Sequence, residues 1–125
     1  MDTEKFLKAY QESRNGTSFF VRHPLVRSFI YSDGVQECAD AGCYWLLDIL
    51  ATEVRSTYFQ TKDSTLAIAV LEVANNKAEL VVEFYDADPE PFKKTINYTD
   101  MPTGKWTFYL ALEEGLIKCF LPSEY

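Results

Sequence analysis

From Leu66 onward the apolar residues fall on every second position, and this alternation constrains the fold more than any other feature of the chain. Leu66, Ile68 and Val70 share one parity, and Ala67, Ala69, Leu71 and Val73 the other. Further on, Leu80, Val82 and Phe84 alternate with Glu79, Val81, Glu83 and Tyr85, and Trp106, Phe108, Leu110 and Leu112 alternate with Thr107, Tyr109 and Ala111. Successive side chains of a strand point to opposite faces, so a period of two marks strands packed on one side. Asn75-Asn76-Lys77 between two such runs reads as a hairpin turn. Residues 101–104 and 113–115 read as further turns, 95–98 as a short strand, and 116–121 as a last strand ended by Pro122.

The first half has a different rhythm. Residues 3–13 read as a short helix with Thr3 as N-cap and Phe6, Leu7 and Tyr10 on one face. Residues 17–22 are rich in β-formers and read as an extended segment, which His23-Pro24 breaks because proline restricts the residue before it. Phe29, Ile30 and Tyr31 form a short apolar stretch, and Ser32-Asp33-Gly34 is either a turn or the cap of a following helix. The strongest helical signal covers residues 35–55, with Tyr44, Leu47 and Leu50 on its apolar face and Gly42 dividing it into two helices or one bent helix. Helices followed by hairpin-connected strands predict an α+β fold: N-terminal helices packed on one face of a four- to five-stranded antiparallel sheet, with residues 1–125 as a single α+β domain.

A chain of 125 residues, 47% hydrophobic and 15% aromatic, can form a core without disulfides or metals. The formal net charge of −7 disfavours direct nucleic-acid binding, since no basic stripe exists. Residues 1–55 hold eight acidic and six basic side chains, and residues 56–125 hold eleven and six, so the excess acid sits in the strand-rich half. Three cysteines, Cys38, Cys43 and Cys119, with no C-x-x-C spacing, point to a reducing compartment. Asp2, Glu4, Lys5 and Lys8 make the first ten residues unlike a signal peptide, and no apolar run reaches the roughly 20 residues that span a bilayer. The expected location is the cytoplasm of a bacterial host, with no membrane partner.

No catalytic motif stands out. His23 is the sole histidine, and neither metal-ligand spacing nor a nucleotide-binding or nucleophile-elbow motif occurs, so no metal, cofactor or catalytic residue is expected. A thiol–imidazole pair of His23 with Cys38 or Cys43, oriented by Asp33 or Asp48, is the enzyme alternative, because such groups meet in space rather than in sequence. The plainer reading of His23 is a loop residue bonded to nearby backbone, and Cys119 alternates with Ile117 and Leu121 as a core residue does.

Two features suggest an interaction surface. Glu83, Asp86, Asp88 and Glu90 place four acids within eight residues, a density that needs solvent, a ligand or basic partners. Asp86-x-Asp88 lacks the glycine and the distal glutamate of a calcium loop, so docking on a Lys/Arg surface is the functional reading. Tyr58, Phe59, Tyr85 and Tyr109 fall opposite or beside the more apolar strand face and are candidate contacts, as aromatic residues are enriched at interfaces.

The runs Val21-Arg22-His23-Pro24, Tyr31-Ser32-Asp33-Gly34-Val35-Gln36, Ala41-Gly42-Cys43-Tyr44-Trp45-Leu46-Leu47-Asp48 and Leu121-Pro122-Ser123-Glu124-Tyr125 resemble a bacterial and phage family known only as a domain of unknown function. Members of that family tend to carry alanine in place of Cys43 and threonine in place of Ser32. The resemblance implies a small intracellular protein, often carried on mobile elements, and implies no activity. The combined expectation is a small, acidic, non-enzymatic binding protein of phage or mobile-element type. It would inhibit a host defence complex in the manner of an anti-CRISPR protein, by blocking a protein surface used for nucleic acid. A homo-oligomeric structural or regulatory module, most simply a homodimer, is the other alternative.

Overall fold

The computed structural model describes residues 1–12, 19–54, 65–85, 91–113 and 115–124. Its sheet grows from the hairpin that the alternation predicts. Asn75 and Asn76 both take positive φ, 53° and 60°, as a two-residue turn compatible with strand twist requires. The turn joins β3 (Thr65–Ala74) to β4 (Lys77–Phe84) and sets Ala74 opposite Lys77. Outward from β4 lies β5 (Phe92–Ile96), while β6 (Gly104–Glu113) pairs with the other side of β3, followed by β7 (Leu116–Phe120).

The sheet has seven strands and is mixed, which corrects the expectation of four or five antiparallel strands. Two short runs, β1 (Phe20–Arg22) and β2 (Phe29–Ser32), extend it beyond β7 in the order β1-β2-β7-β6-β3-β4-β5. The pairing of β2 with β7 is parallel, with Tyr31 beside Cys119. Strands of three or four residues are too short to display a period, and this parallel pair joins opposite ends of the chain, so local pattern carried no sign of it. The expected short strand at 95–98 lies earlier, as β5, and two strands precede the main helix rather than follow it.

α1 (Thr3–Glu12) is capped one residue earlier than expected: the Asp2 carboxylate, not Thr3, accepts the Lys5 N–H at 3.1 Å. α2 (Asp33–Cys38) is capped by Ser32, whose hydroxyl accepts the Val35 N–H at 3.1 Å. It runs through a π-helical turn, Ala39–Cys43, into α3 (Tyr44–Thr52). The bend falls at Gly42, with φ 130° and ψ 23°. A β-carbon there would also sit 3.1 Å from the Met1 Cα. Among the described residues no helix is long and apolar enough to cross a membrane.

The helices cover one sheet face. Ala67, Ala69 and Leu71, Leu80 and Val82, and Phe108 and Leu110 are all buried there with Phe6, Leu46, Leu50 and Val54 of the helical layer. Phe6 and Tyr10 each meet the Trp106 ring edge-on, with centroids 5.1 Å apart. β7 pairs with β6 only from Tyr109 on; the Tyr10 hydroxyl accepts the Thr107 N–H at 3.0 Å, so that strand donor is not orphaned. At the far side Lys94 of β5 pairs with Glu53, just past α3, at 2.6 Å. Each fully buried Leu or Phe contributes roughly 1.5–3 kcal/mol and a surface pair about 0–1 kcal/mol, so packing holds the two layers together.

The C-terminal turn Pro122–Glu124 is fastened to the start of α2: Ser32 Oγ donates to Glu124 Oε1 at 2.6 Å, and that oxygen also accepts the Leu121 N–H at 2.8 Å. The bend at Gly42 tolerates a side chain poorly, since its backbone angles are ones that L residues rarely adopt and a β-carbon would also crowd Met1. Gly42→Ala is expected to lower unfolding free energy by about 1–3 kcal/mol, measured by urea denaturation; an unchanged midpoint would contradict this account of the kink.

Candidate binding face

The hairpin register that buries Leu71 and Leu80 turns their neighbours outward. Val70 stands opposite Val81, Ile68 opposite Glu83, and Glu72 opposite Glu79. On the other side of β3, Ile68 faces Tyr109, Val70 faces Thr107, and Glu72 faces Lys105. No described helix covers these residues. Ile68, Val70 and Val81 are half-buried, whereas Glu72, Glu79, Glu83 and Tyr85 are exposed. Together with Lys105 they line a shallow groove of about 380 Å³.

The open face carries charges of both signs. Like charges directly opposite on neighbouring strands are destabilising, and Glu72 and Glu79 form such a pair. Lys105 stands opposite Glu72, Lys93 of β5 stands opposite Val81, and Lys77 lies on the same face two residues from Glu79. Among the described residues, Glu72, Glu79 and Glu83 take part in no ion pair. Tyr109 lies on the same face and meets Phe120 edge-on at 5.8 Å. Lys118 extends over the Phe20 ring, 6.0 Å from its centroid.

His23 lies elsewhere. It is buried; its Nε2 is 2.8 Å from Asp48 Oδ1, and its Nδ1 accepts the N–H groups of Leu25 and Val26, each at 3.1 Å. Two donors on Nδ1 leave the ring proton on Nε2, where it is donated to Asp48. The imidazole thereby braces the turn after β1 and ties it to α3. Of the residues weighed for a thiol–imidazole pair, the structure brings Asp48 to His23, and the described bonds of His23 include no thiol.

All three thiols are buried. Burial pushes Cys43 up to about 12, and its Sγ donates to the Cys38 carbonyl at 3.2 Å. Burial also raises Cys38 and Cys119, with the Glu124 carboxylate among the further causes for both. On the outward side of the helical layer, the Tyr44 hydroxyl donates to Asp40 and meets Gln36, and the Asp40 bond is the main cause that raises this tyrosine. Burial first, then Asp40 and Asp48, raises Tyr31. Among the described residues no group of three or more His, Cys, Asp or Glu side chains could hold a metal ion.

Residues 4–125, from the first turn of α1 to the end of the chain, match the model of a family described as a family of unknown function, DUF6876. The chain belongs to that family. The match takes in every element described above, so the seven-stranded sheet and its helical layer lie within the family's domain. The chain matches no curated protein and no solved structure.

Of the residues singled out from sequence, Glu83 and Tyr85 line the groove and Tyr109 stands on the same face, opposite Ile68. Asp86, Asp88, Glu90, Tyr58 and Phe59 lie outside the described residues. Sequence reasoning missed Glu72, Glu79 and Lys105. The signal for them was present: a two-residue turn at Asn75-Asn76 pairs 74 with 77 and therefore 72 with 79.

Two outcomes follow from this geometry. Glu79→Lys converts a like-charged cross-strand pair into an opposite one, a change worth roughly 0.2–1 kcal/mol, so the thermal midpoint should rise; a fall would show that Glu72 and Glu79 do not oppose each other in solution. The second concerns the thiols, which are held protonated because their pKa values lie above the usual range. At about pH 8 the native protein should leave a soluble disulfide reagent unreacted, and denaturant should release all three thiols; rapid native labelling of any one would contradict its burial.

Proposed function

We propose that this protein is a non-enzymatic binding protein that presents the open face of its sheet to a protein partner. The observation that carries this reading is the coincidence, in one groove, of uncovered aliphatic side chains and opposed carboxylates. Ile68, Val70 and Val81 offer apolar surface that gains free energy on burial, at roughly 25 cal/mol per Å² removed from water. Glu72 and Glu79 repel each other in the free protein, so a partner that places a positive group between them relieves a penalty as well as forming new contacts. Tyr85, about half exposed, supplies a rigid amphipathic contact at the end of the groove.

In its narrowest form the reading makes the protein a blocker of a host defence complex, working in the bacterial cytoplasm. It would occupy a cationic surface with which that complex holds nucleic acid. The net charge of −7 supports this form, since such a surface attracts and orients an acidic ligand. Direct nucleic-acid binding fits the same charge poorly.

The face reading is tested by affinity capture of the partner from the cells that make the protein, followed by calorimetry with the purified pair. Ile68→Thr combined with Val81→Thr keeps the β-branched shape and removes apolar area, and is expected to weaken binding about tenfold. Equal affinity of this variant and the parent protein would remove the open face from the interface.

A further inference from the structure

We infer that the free edge of β1 receives an extended, acidic segment of a partner protein by strand addition. This edge lies four strands from β3, and the inference stands independently of the open-face reading.

Backbone hydrogen bonding decides the form of the occupant. In an antiparallel pair, residues that bond to the neighbouring strand alternate with residues whose N–H and C=O point away from it. The Phe19 carbonyl accepts the Asp33 N–H at 3.2 Å, and the His23 N–H donates to the Phe29 carbonyl at 2.9 Å. Phe19 and His23 therefore bond toward β2, as does Val21 opposite Tyr31. Phe20 and Arg22 direct their backbone groups away from it, where no described residue pairs with them. Two donors and two acceptors at this spacing fit an extended chain, whereas a helix satisfies its own groups internally. Pro24 has no N–H and ends the ladder, so the added segment is short.

Side chains distinguish this edge from the one at β5. Charged residues, especially lysine, guard edges against added strands. β5 carries Lys93 and Lys94, and its apolar residues Phe92 and Ile96 pack toward the core. β1 and its flanks instead expose Phe19, Phe20 and Leu25.

Charge decides the composition. No acidic residue occurs between Glu12 and Asp33, a stretch that includes Arg22 and Arg27. Arg22 stands opposite Ile30, and Ile30 stands beside Lys118, so Arg22 and Lys118 share one sheet face. β1, β2 and β7 contain no acidic residue. Arg22, Arg27 and Lys118 take part in no ion pair among the described residues. The nearby carboxylates belong to the helical layer and are engaged there: Asp33 Oδ1 accepts the Gly34 N–H, and Asp48 holds His23. A second copy paired through this edge would bring Arg22 and Lys118 of both copies together with no carboxylate on the pairing strands. An added strand with Asp or Glu opposite Arg22, an apolar residue opposite Phe20 and a β-branched residue between them, beside Val21, meets the backbone and charge demands together.

The test titrates fluorescently labelled peptides of about eight residues against the full chain by polarisation. All share a Thr- and Val-rich frame with one Phe, and differ only in Glu, Gln or Lys two positions from it. The Glu peptide should bind about tenfold more tightly than the Lys peptide at low salt, and the margin should narrow at high salt. Arg22→Gln should remove the preference and Arg22→Glu should reverse it. N-methylation of one alternate set of peptide amides should abolish binding, and methylation of the other set should leave it. Amide hydrogen exchange at Phe20 and Arg22 should slow on saturation with the Glu peptide. Equal binding of the Glu and Lys peptides, tolerance of methylation at both sets, or slow exchange at these two amides in the free protein overturns the inference. So does self-association in light scattering that protects the same two amides. Ile68→Thr with Val81→Thr should leave peptide binding unchanged; a loss there would move the peptide to the open face and remove the edge site.

Discussion

The left-handed backbone of Asn75 and Asn76 is the constraint on which the rest of the molecule depends. A strand shows alternate residues to opposite sides, so a shift of one residue in this hairpin would exchange the two faces. In the observed register Leu71 meets Leu80 and Ala69 meets Val82 beneath the helices, while Val70 meets Val81 and Glu72 meets Glu79 on the other side. The core and the candidate binding face are thus two consequences of one turn. Selection for a buried core alone does not require Glu72 opposite Glu79, because neither side chain contributes to the core.

The helical layer makes that face available by occupying the other one. Its attachments are distributed over the fold: Tyr10 on β6, Lys94 with Glu53 at β5, and His23 with Asp48 near β2. The polar groups most suggestive of chemistry are used in these braces. The basic nitrogen of His23 is directed at two backbone N–H groups, the thiols are buried, and Ser32 caps α2 while holding Glu124. The groups left toward solvent on the opposite side are carboxylates, lysines, aliphatic side chains and tyrosines. The family assignment covers this whole assembly and names no activity for it.

Much of this was legible in the sequence wherever a local rule applied. Alternation marked β3, β4, β6 and β7, Asn75-Asn76-Lys77 marked the turn, although Lys77 already belongs to β4, and Gly42 marked the bend in the long helix. Period two also put Tyr85 and Tyr109 on the parity that the structure turns outward. What stayed hidden depends on distance along the chain. The parallel pairing of β2 with β7 involves residues from opposite ends, and runs as short as Phe20–Arg22 carry no periodic signal. The attention drawn by the dense acids at 83–90 obscured a sparser pair, Glu72 and Glu79, which only the register brings together. An acidic run is visible to the eye, whereas a cross-strand pair becomes visible only when the turn is converted into a pairing table.

The central claim is that contact with the partner is made by side chains of the open sheet face. It is tested most directly by cross-saturation NMR on the complex with the captured partner, using protein labelled at the methyl groups of Ile, Leu and Val. Saturation is predicted at Leu66, Ile68, Val70 and Val81, with Leu71, Leu80 and Leu110 unaffected. Saturation confined to methyls of the helical layer or of the β1–β2 end would contradict the account.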